Sequence, residues 1–179
     1  MPDQFPSIMH TPDPKHWTAV VACLGPVGHL PKAPGTWGTA VTIPFAALLI
    51  QVLDPWQSVM ISLGLALFAV WCCGAAERYL QARDPGCVVL DECVAVPCCY
   101  LGPLLFSPRA AEGLTRPDLT LKVLMFHLAV FLLFRFFDIL KPWPVGISQR
   151  LPGGWGVVMD DLLAAGYVNG VLLLGLALF

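Results

Sequence analysis

TLKVLMFHLAVFLLFRFFDILKPWPV, residues 120 to 145, begins as a lipid-compatible run and ends in three charges. From Thr120 to Leu140 nearly every side chain is apolar, and a helix needs about 20 such residues to cross a bilayer core. Arg135, Asp138 and Lys141 nevertheless stand at its C-terminal end, and ionisable groups at that depth are costly unless they find partners. Pro142 restricts the residue before it, which predicts that the helix ends there. Arg135 and Asp138 are three apart and share a helix face, so they can pair with each other and snorkel to the interface. Arg135 could instead grip a phosphate with its two-pronged donors while Lys141 supplies a point charge. From this segment alone the two readings stand level.

The surrounding chain decides between them. It has 179 residues, 57% of them hydrophobic and 12% charged, with mean hydropathy +0.73; soluble domains carry about 25% charged residues. This is the composition of a membrane protein. A formal net charge of −2 and the lack of any block of like charges give no footing for nucleic acid. The length suits one domain, with a tail over residues 1–16 and a helical membrane domain over 17–179. The opening MPDQFPSIMHTPDPKHW lacks the basic start and apolar core of a secretory signal and reads as a short cytosolic tail. The seven cysteines include the pairs Cys72-Cys73 and Cys98-Cys99 inside apolar runs and form no CxxC, so they read as small buried residues.

Five apolar runs occur, at 39–53, 57–76, 93–106, 120–140 and 162–179. The second, fourth and fifth are long enough to cross; the first and third are short and contain Pro or Gly, so they span or half-span, and 17–30 suggests a short N-terminal helix. The expectation is an all-α membrane bundle of four to five embedded helices plus that short helix. If all five runs cross, the N-terminal segment, the 77–92 loop and the 141–161 loop share one face. That face holds Lys15, Lys32, Arg78, Arg83, Arg135, Lys141 and Arg150 against Arg109, Arg116 and Lys122 opposite, which places it in the cytoplasm by the positive-inside rule. Assembly into a homo-oligomer stays open.

On that face lie Asp91-Glu92 before the third run, Asp138 near the end of the fourth, and Asp160-Asp161 before the fifth. Helix capping explains Asp91 and Asp160. It fails for Asp138, which sits where the helix dipole disfavours negative charge. A hard cation such as Mg²⁺, which takes oxygen ligands and keeps waters for substrate phosphate, explains all three acidic elements together. Two glycine-rich turns, PGTWGT at 34–39 and PGGWGVVMDD at 152–161, either bring backbone N–H groups to an anion or only turn the chain into the membrane with Trp37 and Trp155 as anchors. Cys72 and Arg78 have the spacing of a Cys-x5-Arg phosphatase loop but sit at the end of an apolar span without the small residues that loop needs. His127 reads as a bundle histidine, and His29 as a weak proton donor at best.

PKAPGTWGT, VVLDECVAV, FRFFDILKPWPV and GGWGVVMDDLLA, in this order, make the chain resemble the phosphatidylglycerophosphatase A family of bacterial lipid phosphatases. The resemblance implies a helical bundle in the bacterial inner membrane and Mg²⁺-dependent hydrolysis of phosphatidylglycerophosphate to phosphatidylglycerol and phosphate. Carried onto these residues, it gives Mg²⁺ among Asp91, Glu92, Asp138, Asp160 and Asp161, with Asp138, Asp160 and Asp161 catalytic. Arg135, Lys141, Gly35, Thr36 and Gly154 would then hold the phosphate. Attack by water or by a carboxylate stays open. Ala95, Gly156-Val157-Val158 and Ala165 depart from the usual family residues and touch packing, since no charge is lost. The rival reading is a small transporter or channel, which would distribute its charges through the bilayer depth.

Overall fold

The computed structural model of the chain describes residues 16–107, 112–114 and 121–178. Lys15, Arg109 and Arg116, three of the charges used to assign sidedness, lie outside them, as do residues 1–15 of the tail. Among the described residues the fold is all-helical. Helix α1 (His16–Ala22) is followed by a 3₁₀ turn (Val27–His29), then α2 (Pro34–Val52) and α3 (Pro55–Leu80). After these come α4 (Leu90–Cys98), α5 (Leu101–Phe106), α6 (Leu121–Leu140), α7 (Val145–Ser148) and α8 (Gly154–Leu178). Helices α2, α3, α6 and α8 are each long and apolar enough to cross a membrane.

The third apolar run is a broken helix that lies alongside α8. Asp91 at the start of α4 lies near Asp161 in the second turn of α8, whereas Gly102 in α5 meets Asn169, two turns further along α8. Pro97 and Pro103 each lack an N–H and crowd the carbonyl four residues back, so the chain breaks at Cys99-Tyr100. Asn169 stitches the break: its Nδ2 donates to the Cys98 carbonyl at 2.8 Å and its Oδ1 accepts from the Gly102 N–H at 2.6 Å. Nearby, the Tyr100 hydroxyl and His127 Nδ1 are 2.8 Å apart, which makes His127 the bundle histidine the sequence suggests.

Lipid gives helices no hydrophobic reason to associate, so membrane interfaces favour small residues that let backbones approach. Helix α3 follows this pattern: its buried residues Ser58, Ser62, Ala66, Ala69, Cys73 and Ala76 recur every three or four positions. Cys72 and Cys73 belong to the buried small residues of α3, and all seven cysteines are unbridged. Against α3 pack α1, α4 and α8. One apolar cluster joins Ala19, Ala69, Cys72, Val94 and Val158 near the face that carries the charges; a second joins Ile50, Val96, Tyr100, Phe134 and Val168 deeper in the bundle. Large side chains such as Phe45, Leu63, Leu67 and Leu132 stay outside, facing lipid.

Both glycine-rich stretches differ from the expectation of loops. PGTWGT forms the first turns of α2, with Pro34 at its start, a place where proline's missing N–H costs nothing. GWGVVM, from Gly154, likewise opens α8, so Asp160 and Asp161 lie almost two turns inside that helix rather than at its mouth. Gly154 serves the α3–α8 crossing: a Cβ there would strike the Val70 carbonyl and lie 2.7 Å from the Gly74 nitrogen. Because both obstructing atoms are backbone, Gly154→Val should cost at least the ~1–3 kcal/mol of ordinary overpacking. The thermal midpoint in detergent should fall by several degrees, and an unchanged midpoint would show that the crossing is not tight.

Candidate active site

Each acidic element arrives by a different route. Asp91 and Glu92 occupy the first turn of α4, where negative charge suits the helix dipole. Asp138 ends α6, and Asp160 and Asp161 come from α8. Asp91, Glu92 and Asp161 converge: each offers one oxygen within 4.8 Å of the others'. Ligand oxygens on opposite sides of a hard cation at about 2.0–2.1 Å are about 4 Å apart, so the trio can close on one ion with little movement. Asp91 Oδ1 and Glu92 Oε2 are buried and accept no hydrogen bond from the protein. Buried anions without donors call for a cation, and oxygen donors select a hard one.

The other two carboxylates each meet a cation of the protein. Asp160 Oδ2 takes Lys141 Nζ at 2.6 Å, and Asp138 Oδ2 lies 2.7 Å from Arg135 Nη1. These partners offset their charge, while Asp160 Oδ1 stays buried without a hydrogen bond. Asp138 still stands beside Asp161, and Arg135 Nη1 is 3.6 Å from Glu92 Oε1, so the trio and the two pairs form one charged cluster.

The basic groups are held but not exhausted. Arg135 Nη1 meets Asp138 as an ion pair whose geometry is not that of a hydrogen bond, and Arg135 Nε and Nη1 are buried donors without an acceptor. Lys141 caps α6 in the left-handed region, at φ 46, which turns the chain away from the helix axis while its ammonium reaches α8. Burial works against that charge, but the hydrogen bond and the charge of Asp160 outweigh it and hold the ammonium above its ordinary pKa.

Gly35 lies on the cluster: a Cβ there would strike Glu92 Oε1 and come within 3.2 Å of Arg135 Nη1. Its part is to admit those side chains. The N–H of Thr36 is already given to the Ala33 carbonyl at 2.9 Å, and Gly154 lies at the α3 crossing. Cys72 is buried within an unbroken α3 that runs on past Arg78, which disposes of the Cys-x5-Arg loop. Sequence reading also missed Asn169, whose signal was a lone amide in an apolar helix.

Oxygen ligands for a hard cation beside unfilled donors for an anion, at one end of a membrane bundle, are the equipment of phosphoryl chemistry. The channel reading fits poorly, because these charges gather at one end of the bundle. The family model described as phosphatidylglycerophosphatase A matches residues 20–176, and the chain belongs to that family; it is an enzyme of the phosphoric monoester hydrolase class. A Haemophilus influenzae protein named phosphatidylglycerophosphatase A is 33% identical over 141 residues, 78% of this chain and 77% of the relative. The Escherichia coli protein of the same name is 28% identical over 148 residues, 81% of this chain and 75% of the relative. A Bacteroides thetaiotaomicron protein named putative phosphatidylinositol-3-phosphatase is 32% identical over 150 residues, 78% of this chain and 81% of the relative. No solved structure matches the chain.

The trio carries a pH signature. Burial pushes the Asp91 carboxyl well above its ordinary 3.8, and the charges of Glu92 and Asp161 push the same way. Burial also raises Glu92, against the opposing hydrogen bond of Asp91 and charge of Arg135. A folded state that holds a proton more tightly than the unfolded chain loses stability as pH rises from the unfolded pKa through the raised folded one. In chelator, therefore, stability should fall with rising pH above about 4. Asp91→Asn should flatten that slope and raise the midpoint at neutral pH by a few degrees. A variant less stable than its parent in chelator at neutral pH would show that the ionised carboxylate stabilises the fold.

Proposed function

We propose that this protein is a Mg²⁺-dependent phosphatidylglycerophosphatase of the bacterial inner membrane, with its site on the cytoplasmic face. The observation that supports this most is the convergence of Asp91, Glu92 and Asp161, with unpartnered buried oxygens on Asp91 and Glu92, beside the unfilled donors of Arg135. The family and the names of the Haemophilus influenzae and Escherichia coli relatives supply the lipid.

In this reading Asp91, Glu92 and Asp161 hold Mg²⁺, which supplies electrostatic stabilisation of the phosphoryl oxygens. Arg135, whose Nε–H and Nη1–H find no acceptor in the protein, offers charge-assisted donors to that group. Asp138 fixes the plane of that guanidinium. Lys141 adds a second positive charge, aimed by Asp160. The bond from phosphorus to the glycerol oxygen breaks, a bond from phosphorus to the oxygen of water forms, and the glycerol oxygen takes up a proton. Phosphatidylglycerol and phosphate leave. Catalysis of this kind rests on positioning and charge, which dominate phosphoryl transfer.

The test is phosphate release by the purified protein from phosphatidylglycerophosphate in mixed micelles, with Mg²⁺ or with EDTA. Release is expected with Mg²⁺ and not with EDTA. Asp161→Asn should lower the rate by more than about 100-fold, the scale seen when a group stabilising transition-state charge is removed. A folded protein that releases no phosphate overturns the assignment, and release indifferent to EDTA overturns its metal part. Faster hydrolysis of phosphatidylinositol 3-phosphate would move the head group toward that in the name of the Bacteroides thetaiotaomicron relative.

A further inference from the structure

Three arginines on the site's face take no part in the cluster just described. Arg78 lies in the last turn of α3, Arg83 in the loop beyond it, and Arg150 just before α8. Arg83 and Arg150 line a cavity of about 410 Å³, and all three line an adjoining one of about 530 Å³. Both cavities are also lined by Glu77 and Gly153.

Two of these charges are uncommitted. Arg83 Nη2 donates to the Gln149 carbonyl at 2.6 Å, tying the α3–α4 loop to the segment before α8 and fixing the cavity wall. Glu77 Oε1 accepts the Asp84 backbone N–H at 2.8 Å. The guanidiniums of Arg78 and Arg150 have no hydrogen bond or ion pair among the described residues. In the larger cavity three guanidiniums face Glu77 alone, a net positive lining, while in the smaller one Arg83 and Arg150 balance Glu77 and Asp84. The start of α8 also contributes: Gly156 and Val157 of its first turn, with Gly153 just before it, form part of the smaller cavity's wall, and a helix N-terminus favours negative charge.

The position matters as much as the charge. Gly156 and Val157 precede Asp160 and Asp161 by four residues, about 6 Å along the helix. A three-carbon glycerol linker between two phosphates can match that separation. Gly146, another wall residue, lies against Lys141: its Cβ position is 3.2 Å from the Lys141 carbonyl. The cavity is thus an antechamber to the carboxylate cluster, one helical turn outside it.

We propose that the Arg78–Arg83–Arg150 vestibule is a second phosphate site, separate from the one where the bond is cleaved. It takes a phosphate group either as the uncleaved phosphodiester of the lipid head group or as inorganic phosphate leaving the site. The inference rests on the phosphatase reading for its ligand. Its test is built so that the two can fail separately.

The binding arm uses Asp161→Asn in EDTA, where lipid turnover plays no role. Inorganic phosphate at about ten times its Kd should raise the thermal midpoint by about 3 °C. The rise should vanish when Arg83→Gln and Arg150→Gln are added. The kinetic arm uses Arg83→Gln/Arg150→Gln alone. KM for phosphatidylglycerophosphate should rise about tenfold, while KM for phosphatidic acid, which has no second phosphate, should change by less than about twofold; tenfold corresponds to one lost charge-assisted contact. A selective KM change assigns the site to the head group. A phosphate-dependent shift without it assigns the site to the product. If neither arm responds to the arginine substitutions, the proposal is overturned and these residues are ordinary interfacial charges, even if the enzyme is active. An inactive enzyme with an intact, arginine-dependent phosphate shift would instead sink the lipid assignment and leave the site standing.

Discussion

Asp91, Glu92 and Asp161 repel one another, and the fold must hold them together all the same. Two unit charges 4.8 Å apart repel by about 3 kcal/mol at an effective dielectric constant of about 20. Three ionised carboxylates at that spacing would sum to roughly 10 kcal/mol, comparable to the whole stability of an ordinary domain at about 5–15 kcal/mol. Without a counter-charge the chain must keep protons on the cluster, which is the direction in which burial moves Asp91 and Glu92. A trio arranged this way is stable chiefly when it holds a cation, and the surrounding structure makes sense as the frame that keeps it from splaying.

The frame is made of backbones brought unusually close. Gly154 against Val70 and Gly74 locks α8 to α3, and α3 in turn carries α4 on its small-residue face. Asn169 bonds both sides of the break between α4 and α5, so the short helix bearing Asp91 and Glu92 is anchored to the helix bearing Asp161. Gly35 brings the start of α2 onto Glu92 and Arg135. None of these contacts touches a substrate, yet each fixes the distance between carboxylates from different helices. In lipid, where apolar burial between helices gains little, such close packing and a few polar bonds carry the geometry.

Much of this could be read from the sequence, because a membrane makes charge conspicuous. The end of α6 at Leu140 was legible from Lys141-Pro142, and the acidic elements stood out against apolar runs. Other features needed three dimensions. PGTWGT and GGWG look like loops because glycine and proline usually mark them; here the same glycines are chosen for close approach inside helices, a motive invisible without the neighbouring backbone. The five carboxylates look alike in sequence, and only the placement of Arg135 and Lys141 separates the paired Asp138 and Asp160 from the trio. Arg78, Arg83 and Arg150 read as cytoplasmic charges for topology, since 72 residues separate Arg78 from Arg150.

That division of labour among like residues answers why FRFFDILK carries its charges in this order. Arg135 and Asp138 share a face of α6, so the aspartate orients the guanidinium without consuming it: Nε and Nη1 keep donors to offer. Lys141, beyond the helix end and in the left-handed region, is free of that face and can cross to Asp160 on α8. Had the lysine remained on the helical face of Arg135, two cations would have competed for one carboxylate and Asp160 would have been left buried without a partner. Ending the helix at Leu140 thus distributes two cations over two carboxylates, and it leaves the trio with only the more distant Arg135, 3.6 Å from Glu92, to offset its charge.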